Sequence, residues 1–269
     1  MREGCATAAV DELLSTARQA FDLVQSEPAR ADDIARRVLA APGVRGEAKV
    51  VALWSLGRLA HDRGAMAEAI ILLTEALTLS LDTGSTEMAA DVRVSLAVCL
   101  QATGETDLAL GELSAAHDEL AQQGQSAGRD RGGVLGRVLS QRGLILHGQG
   151  NRELAIAAYG EALPHLTMSD DIAAARVISN RGVALMQLGD FDAAIADFDQ
   201  SLEIAERLGV HVLAAGSAHN RAYLDGRMGK MSAAPGYCPF KTLLAETAAR
   251  IRPLPSASHY QVAPAGQMA

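Results

Sequence analysis

The chain has 269 residues, of which 49% are hydrophobic and 21% are charged, as in an ordinary folded protein with one extended or two compact domains. Its net charge of −8 disfavours binding to nucleic acids or to anionic membranes, because both partners need a basic surface. Aromatic residues make up only 3%, so Ala, Leu, Val and Ile must fill the interior, and this favours packed helices over sheets.

The N-terminal segment, residues 1–46, is predicted to form a degenerate helix pair. Apolar residues recur at helical spacing on both sides of Glu27-Pro28, but no turn glycine separates the two halves. Such divergence is typical of a terminal unit in a repeat array, since one of its faces has no neighbour.

No apolar run in the sequence is suited to export or to a membrane. Acidic residues precede any long apolar stretch at the N-terminus, so this end does not resemble a secretory signal. The most apolar window, residues 69–81, is too short and too interrupted to cross a bilayer. We therefore expect a cytoplasmic protein with no membrane partner.

Residues 47–229 contain a repeated unit. Five segments share one layout when they are aligned on the glycine that ends the first helix of each: Gly64, Gly104, Gly150, Gly189 and Gly229. The spacings between these glycines are 40, 46, 39 and 40 residues, and a regular period of this length indicates a repeat array. Within a unit, apolar residues recur at intervals of three and four, which predicts two amphipathic helices.

The turn inside each unit has a consistent chemistry. Glycine can adopt the positive φ angle of a helix C-terminal cap without a side-chain clash. In the fourth unit Asp190 and Asp192 follow the glycine, where a helix N-terminus favours negative charge. An alanine follows each turn glycine by five residues and lets two antiparallel helices approach closely. These alanines are Ala69, Ala109, Ala155, Ala194 and Ala234.

Together these features resemble the tetratricopeptide repeat family, whose pattern has a small residue in the first helix, the turn glycine, and then alanine, an aromatic residue and alanine in the second. The matching residues of units one to four are Leu56, Gly57, Ala69 and Ala76; Ala97, Ala109 and Ala116; Gly143, Ala155, Tyr159 and Ala162; and Gly182, Ala194, Phe198 and Ser201. The resemblance implies an all-α fold, a right-handed superhelical α-solenoid of helix pairs whose first helices line a concave groove. The period near 40 residues exceeds the family's usual 34, so each helix should be about a turn longer.

Two segments interrupt the pattern. The segment from Gln122 to Gly136 is rich in Gly and Gln and accounts for the 46-residue spacing, so it is predicted to be a mobile loop. In the fifth unit Pro235 and Pro239 disfavour the second helix, because each interior proline costs roughly 3 kcal/mol. Residues 230–269 are predicted to be a divergent tail with one short capping helix, or unrelated sequence introduced by a frameshift or truncation.

No arrangement of residues predicts catalysis. The chain lacks the HExxH motif and a phosphate-binding glycine loop. Cys5, Cys99 and Cys238 stand 94 and 139 residues apart, so none of them forms a close pair with metal or redox spacing, and free thiols are favoured. The seven histidines are scattered. We predict that the protein is not an enzyme and has no metal or cofactor.

Candidate binding residues lie on the predicted first helices of units three to five. Arg137 with Gln141, and Arg176 with Asn180, are each four residues apart and share a helix face. Asn220 repeats the amide in unit five. A basic residue and an amide at these places resemble the clamp with which some tetratricopeptide domains hold a peptide carboxylate. The remaining positions depart from this clamp: Val51 and Ser55, Asp91 and Ser95, and Gly216.

A second set of cations occupies one repeat position: Arg142, Arg181 and Arg221. These arginines are predicted to form either a structural ladder, that is, a row of ion pairs with acids such as Asp197 or Glu203, or a positive stripe. In the second case their guanidinium groups would bind the carboxylates of an acidic peptide in two-pronged geometry. The full predicted peptide-binding set is Arg137, Gln141, Arg176, Asn180, Arg181, Asn220 and Tyr223.

These patterns favour a non-catalytic scaffold that binds a protein or peptide in its concave groove, with an acidic peptide as one candidate. The repeats also resemble the region that precedes caspase-like CHAT domains in actinobacterial proteins, which implies a regulatory or sensor arm. The alternatives are an effector-sensing module of a transcriptional or signalling regulator, and an enzyme with a site between helices. An uncovered apolar face around Val212, Leu213 and Leu224 predicts weak self-association through the C-terminal end when the tail is removed.

Overall fold

The computed structural model describes residues 2–122, 129–166 and 171–228, and the regular structure in these ranges is entirely α-helical. The helices are α1 (Arg2–Leu23), α2 (Pro28–Ala40), α3 (Gly46–Asp62), α4 (Met66–Asp82), α5 (Thr86–Ala102), α6 (Thr106–Gln122), α7 (Arg129–Gly148), α8 (Arg152–Leu166), α9 (Asp171–Leu188), α10 (Phe191–Arg207) and α11 (His211–Arg227).

The helices stack in chain order as two layers. Each helix contacts the next one, and each odd-numbered helix also contacts the next odd-numbered helix. We call the odd-numbered helices the A layer and the even-numbered helices the B layer. Among the described residues, no two B helices approach within 8 Å between Cα atoms. The predicted all-α solenoid of helix pairs is confirmed, and its A layer lies on the inner side, because stacked pairs are closest together on the inside of a curve.

The N-terminal helices α1 and α2 continue this stack. Ala17 of α1 and Ile34 of α2 share a buried cluster with Leu56 of α3. Pro28 lies in the first turn of α2, where the missing N–H removes no helical hydrogen bond. The expected helix pair is therefore present, while the domain boundaries placed at residues 46 and 229 stay predictions.

The turns between helices explain the 40-residue period. The helices α3, α4, α5 and α6 have 17 residues each, and three residues separate consecutive ones. Gly64 has a φ of 78° and its N–H donates to the carbonyl of His61 at 2.8 Å, while Ala65 donates to Ala60 at 2.9 Å. This is the Schellman cap, which satisfies the last carbonyls of a helix and requires a left-handed residue. The turn glycines of units two to four are also left-handed.

In units one, three and four the small residue of the A helix lies against a large residue of its B helix. An added Cβ at Gly143 would lie 2.5 Å from Cε1 of Tyr159, and one at Gly182 would lie 2.8 Å from Cε1 of Phe198. Both rings are fully buried, and burial raises the pKa of the Tyr159 hydroxyl. The repeat pattern is therefore a steric pair, in which glycine leaves the volume that a ring fills.

Replacing Gly143 with Ala is expected to lower the free energy of unfolding by roughly 1–3 kcal/mol, because the methyl group overlaps a buried ring in a close-packed core. The matched control is Gly160→Ala in α8, where an added Cβ meets nothing within 4 Å. It should raise stability by about 0.5–1 kcal/mol through helix propensity. Chemical denaturation followed by circular dichroism compares the two, and equal midpoints would contradict the steric pairing.

The mobile loop predicted from Gln122 to Gly136 is wrong for its second half. Helix α7 begins at Arg129, and residues 123–128 lie outside the described residues. Gly136 is helical, and an added Cβ there would lie 2.6 Å from Cγ of Leu166 in α8. Glycine at this position permits close helix packing, a role that composition alone does not separate from that of a loop.

One of the three residues predicted to form an uncovered apolar face at the C-terminal end is buried instead. Leu224 is completely buried, in a cluster with Phe198 of α10, because it packs into the fourth unit. Val212 is 77% exposed, and Leu213 is half-buried. The predicted tail and its capping helix fall within residues 229–269, which lie outside the described residues.

Candidate functional site

Charge is separated between the two layers of the array. The B helices α4, α6, α8 and α10 contain 14 acidic and two basic residues, whereas the A helices α3, α5, α7, α9 and α11 contain seven acidic and 11 basic residues. From α3 onward the inner layer therefore carries a net positive charge, although the whole chain has a net charge of −8. A surface of this sign attracts an acidic partner and repels a basic one.

Arg137 and Gln141 are engaged within the protein. The Nε and Nη2 atoms of Arg137 donate to the two carboxylate oxygens of Asp91 at 2.8 and 2.7 Å, which links α7 to α5. The amide of Gln141 donates to Oε1 of Gln101, also on α5, at 3.4 Å. Side chains of α5 thus occupy the clamp positions of unit three, and a guest carboxylate would compete with Asp91 for Arg137.

Arg176 and Asn180 on α9 form an open counterpart. Arg176 is exposed and Asn180 is half-buried, and neither side chain makes a hydrogen bond or ion pair with a described residue. One helical turn separates them, so they share a face. An unpaired guanidinium and an unpaired amide on one face can hold a single carboxylate by charge-assisted hydrogen bonds.

The three arginines at one repeat position lie in three environments. Arg181 donates from Nε and Nη2 to both carboxylate oxygens of Asp197 at 2.8 and 2.7 Å, and this hydrogen bonding raises the pKa of Arg181. Arg221 donates to Asp199 at 3.0 Å. Arg142 is exposed and has no such partner among the described residues. A structural ladder accounts for Arg181 and Arg221, and of the three only Arg142 is left for a positive stripe.

Asn220 and Tyr223 lie on α11, the last described helix. Asn220 is half-buried and Tyr223 is 49% exposed. Because α11 contacts α9, these residues extend the inner layer beyond Arg176 and Asn180. An accessible tyrosine ring offers a large apolar area with a polar tip, which suits a binding surface.

Sequence reasoning missed a cluster at the N-terminal end of the A layer. The ring centroids of Phe21 on α1 and Trp54 on α3 lie 4.3 Å apart, and Cζ of Arg58 lies 4.8 Å from the Phe21 centroid. Nε1 of Trp54 donates to Oγ of Ser95 on α5 at 2.8 Å. We call Phe21, Trp54 and Arg58 the N-terminal cluster. Its signal in the sequence was the chain's single tryptophan, followed by an arginine one helical turn later.

The described residues show little that resembles catalytic or metal chemistry. They contain no group of three or more His, Cys, Asp or Glu side chains that could hold a metal ion. Within the same part of the chain, no helix is both long enough and apolar enough to cross a membrane. Cys99 is a buried free thiol, and burial raises its pKa to about 11, so little reactive thiolate forms near neutral pH.

Comparison with known proteins agrees with the helix-pair unit derived above. Helices α9 and α10 carry the steric pair of Gly182 and Phe198 together with the left-handed turn at Gly189. Residues 175–208 match the tetratricopeptide repeat family. This tetratricopeptide unit is the fourth in the array, and the other units stack on it through the same layers. No curated protein matches the chain in sequence.

Solved structures share the solenoid at low sequence identity. The apo form of RapI is 13% identical with a TM-score of 0.63, over 89% of this chain and 64% of that one. BtubC from P. vanneervenii is 17% identical with a TM-score of 0.65, over 96% and 97%. The Rap conjugation gene regulator of plasmid pLS20, in complex with the Phr* peptide, is 16% identical with a TM-score of 0.67, over 86% and 61%. These similarities show the fold alone, and this chain spans less than two thirds of the two Rap chains.

Proposed function

We propose that this chain is a non-catalytic tetratricopeptide scaffold whose A layer binds an acidic protein or peptide segment. The observation that carries the proposal is the separation of charge from α3 onward, where the A helices contain 11 basic and seven acidic residues and the B helices contain two basic and 14 acidic residues. An acidic ligand would be attracted to the inner face and repelled by the outer one.

Arg176 and Asn180 are the anchor that we assign to a ligand carboxylate. They are unpaired in the described structure, so binding does not require an internal bond to break. Arg137 would bind the ligand only if the ligand displaced Asp91 from it. Arg181 is paired with Asp197 and would contribute through its charge. Gln141, Asn220 and Tyr223 flank the anchor along the same layer. A single exposed ion pair adds only about 0–1 kcal/mol, so affinity must come from several contacts together.

Similar structures support a peptide as the ligand. A Rap protein was solved with competence and sporulation factor, and the pLS20 Rap regulator with the Phr* peptide. We extend this use of the solenoid to the present chain by analogy of fold. The role that we propose is that of a cytoplasmic regulatory or sensor arm, as in the repeat regions beside CHAT domains. An effector-sensing module of a transcriptional or signalling regulator would use the same surface.

The proposed function includes a second contact, between copies of the chain, at the C-terminal helix α11. Val212 is 77% exposed on α11, and exposed apolar side chains at the end of a stack favour association. We therefore retain weak self-association through this end of the array as part of the proposed function.

The double variant Arg176→Gln with Asn180→Ala is expected to weaken binding of a fluorescein-labelled (Glu-Ala)5 peptide with a free C-terminus by about tenfold, because it removes one charge-assisted carboxylate contact. Fluorescence anisotropy at low ionic strength measures the affinity. The isosteric (Gln-Ala)5 peptide should bind the wild-type chain much more weakly.

The matched control is Arg207→Gln, which removes the same charge from the outer layer at a side chain that is 60% exposed. It should leave binding of the Glu peptide within about twofold, since an exposed surface pair contributes little. Equal affinity for the Glu and Gln peptides, or an equal loss with Arg207→Gln, would contradict binding at the A layer.

A further inference from the structure

Arg58 is a half-buried cation that the fold leaves without an anion. It makes no hydrogen bond or ion pair with any residue that the structure describes. The other arginines with half-buried or buried side chains in that part of the chain all have an acceptor: Arg93, Arg137, Arg152, Arg181 and Arg221. Burial lowers the pKa of Arg58, and the charge of Asp62 one turn later opposes this effect without a bond. A bound anion would relieve the cost of keeping this guanidinium partly desolvated and unpaired.

The guanidinium is held in place by its aromatic neighbours. Arg58 stacks on Phe21, whose ring packs against Trp54 at 4.3 Å between centroids. Trp54 is itself fixed by its hydrogen bond to Ser95. The cluster therefore joins three consecutive A helices, and an anchor that is ordered before binding loses less entropy when the ligand arrives.

We propose that the N-terminal cluster is a second anchor of the A layer and binds a carboxylate of the ligand peptide through Arg58. The inference rests on the proposed function, since it assumes that a peptide lies along the inner layer. A planar guanidinium with free donors matches a carboxylate in two-pronged geometry. The adjoining rings of Phe21 and Trp54 provide an apolar flank, so the preferred ligand residue is an acidic side chain or chain terminus beside an apolar side chain. Tryptophan and arginine are also the residue types that most often dominate binding energy at interfaces.

The single tryptophan makes the site directly observable. Trp54 is the chain's only tryptophan, so a change in its fluorescence reports binding at the cluster. Titration of the wild-type chain with unlabelled (Glu-Ala)5 should change this emission, and C-terminally amidated (Gln-Ala)5, which has no carboxylate, should not. No change with the Glu peptide, under conditions where labelled peptide binds by anisotropy, would overturn the anchor.

The decisive variant is Arg58→Gln, which keeps a planar polar group over Phe21 and removes the charge. We expect it to weaken (Glu-Ala)5 binding by about tenfold, a typical effect of losing one charge-assisted contact, and to leave binding of C-terminally amidated (Gln-Ala)5 unchanged. Arg58→Lys keeps the charge without the fork and should lose less. Arg37→Gln, on α2 with a side chain that is 74% exposed, is the matched control and should bind like the wild type. Circular dichroism verifies that each variant is folded.

The outcomes separate the two proposals. If Arg58→Gln binds (Glu-Ala)5 normally while the Arg176→Gln, Asn180→Ala variant binds it weakly, the second anchor is wrong and the proposed function stands. If both variants bind normally, peptide binding at the A layer fails as a whole. A C-terminally amidated (Glu-Ala)5 identifies which carboxylate Arg58 binds. If Arg58→Gln weakens binding of both the free and the amidated peptide, the carboxylate belongs to a side chain. If it weakens binding of the free peptide alone, the carboxylate is the chain terminus. Both of these results support the anchor.

Discussion

Arg181→Leu is expected to lower the free energy of unfolding by about 3–5 kcal/mol, the usual cost of removing one partner of a buried ion pair. The Asp197 side chain is only 7% exposed, and Arg181 neutralises it through two short hydrogen bonds. The variant leaves this carboxylate between α9 and α10 without a cation. Denaturation followed by circular dichroism measures the loss.

A second substitution tests the cause of that loss. Arg181→Leu combined with Asp197→Asn removes the stranded charge at nearly constant shape and should recover a large part of the stability. Arg142→Leu is the control at the same repeat position, because Arg142 is exposed and has no such partner in the described residues. It should change stability by no more than about 0.5 kcal/mol. Equal losses for Arg142→Leu and Arg181→Leu would show that the buried pair is not the source.

Arg93→Leu should have the next largest effect, a loss of about 2–4 kcal/mol. The Arg93 side chain is 10% exposed and lies 3.0 Å from Glu112 and 2.7 Å from Glu119, both on α6. Without the arginine, two carboxylates face an apolar side chain and each other. We place the loss below that of a fully buried pair because the two acids are 30% and 35% exposed, so water compensates part of it.

The triple variant Arg93→Leu, Glu112→Gln, Glu119→Gln distinguishes charge from shape. It should be more stable than Arg93→Leu alone, since the amides carry no charge to desolvate. Thermal unfolding of the three proteins provides the comparison. A triple variant no more stable than the single one would assign the loss to packing around Arg93 instead.

The repeat and its turns could be predicted because they depend on residues close together in the chain. The left-handed cap at Gly64 and the capping of α10 by Asp190, which accepts a hydrogen bond from the Ala193 N–H, are decided within one or two helical turns. The steric pairing of Gly182 with Phe198 joins residues only 16 positions apart. The left-handed turn glycine recurs in units one to four, so the pattern is visible without coordinates.

The candidate site could be predicted only in part, for a physical reason. The helix faces of Arg137 and Arg176 follow from their spacing, but nothing in the sequence distinguishes the arginine that Asp91 holds from the one left open. Asp91 and Arg137 are 46 residues apart, and they meet because of the offset at which α7 stacks on α5. The same stacking brings Arg58 over Phe21.

The sequence by itself therefore determined the period, the turns and the paired helices, since capping and close packing act over short distances along the chain. Only the tertiary structure decided which cations are neutralised, that Gly132, Gly133 and Gly136 belong to a helix, and that the basic helices from α3 onward lie on the inner side. These properties depend on how neighbouring units are displaced against each other, and many small side-chain contacts between units set that displacement together.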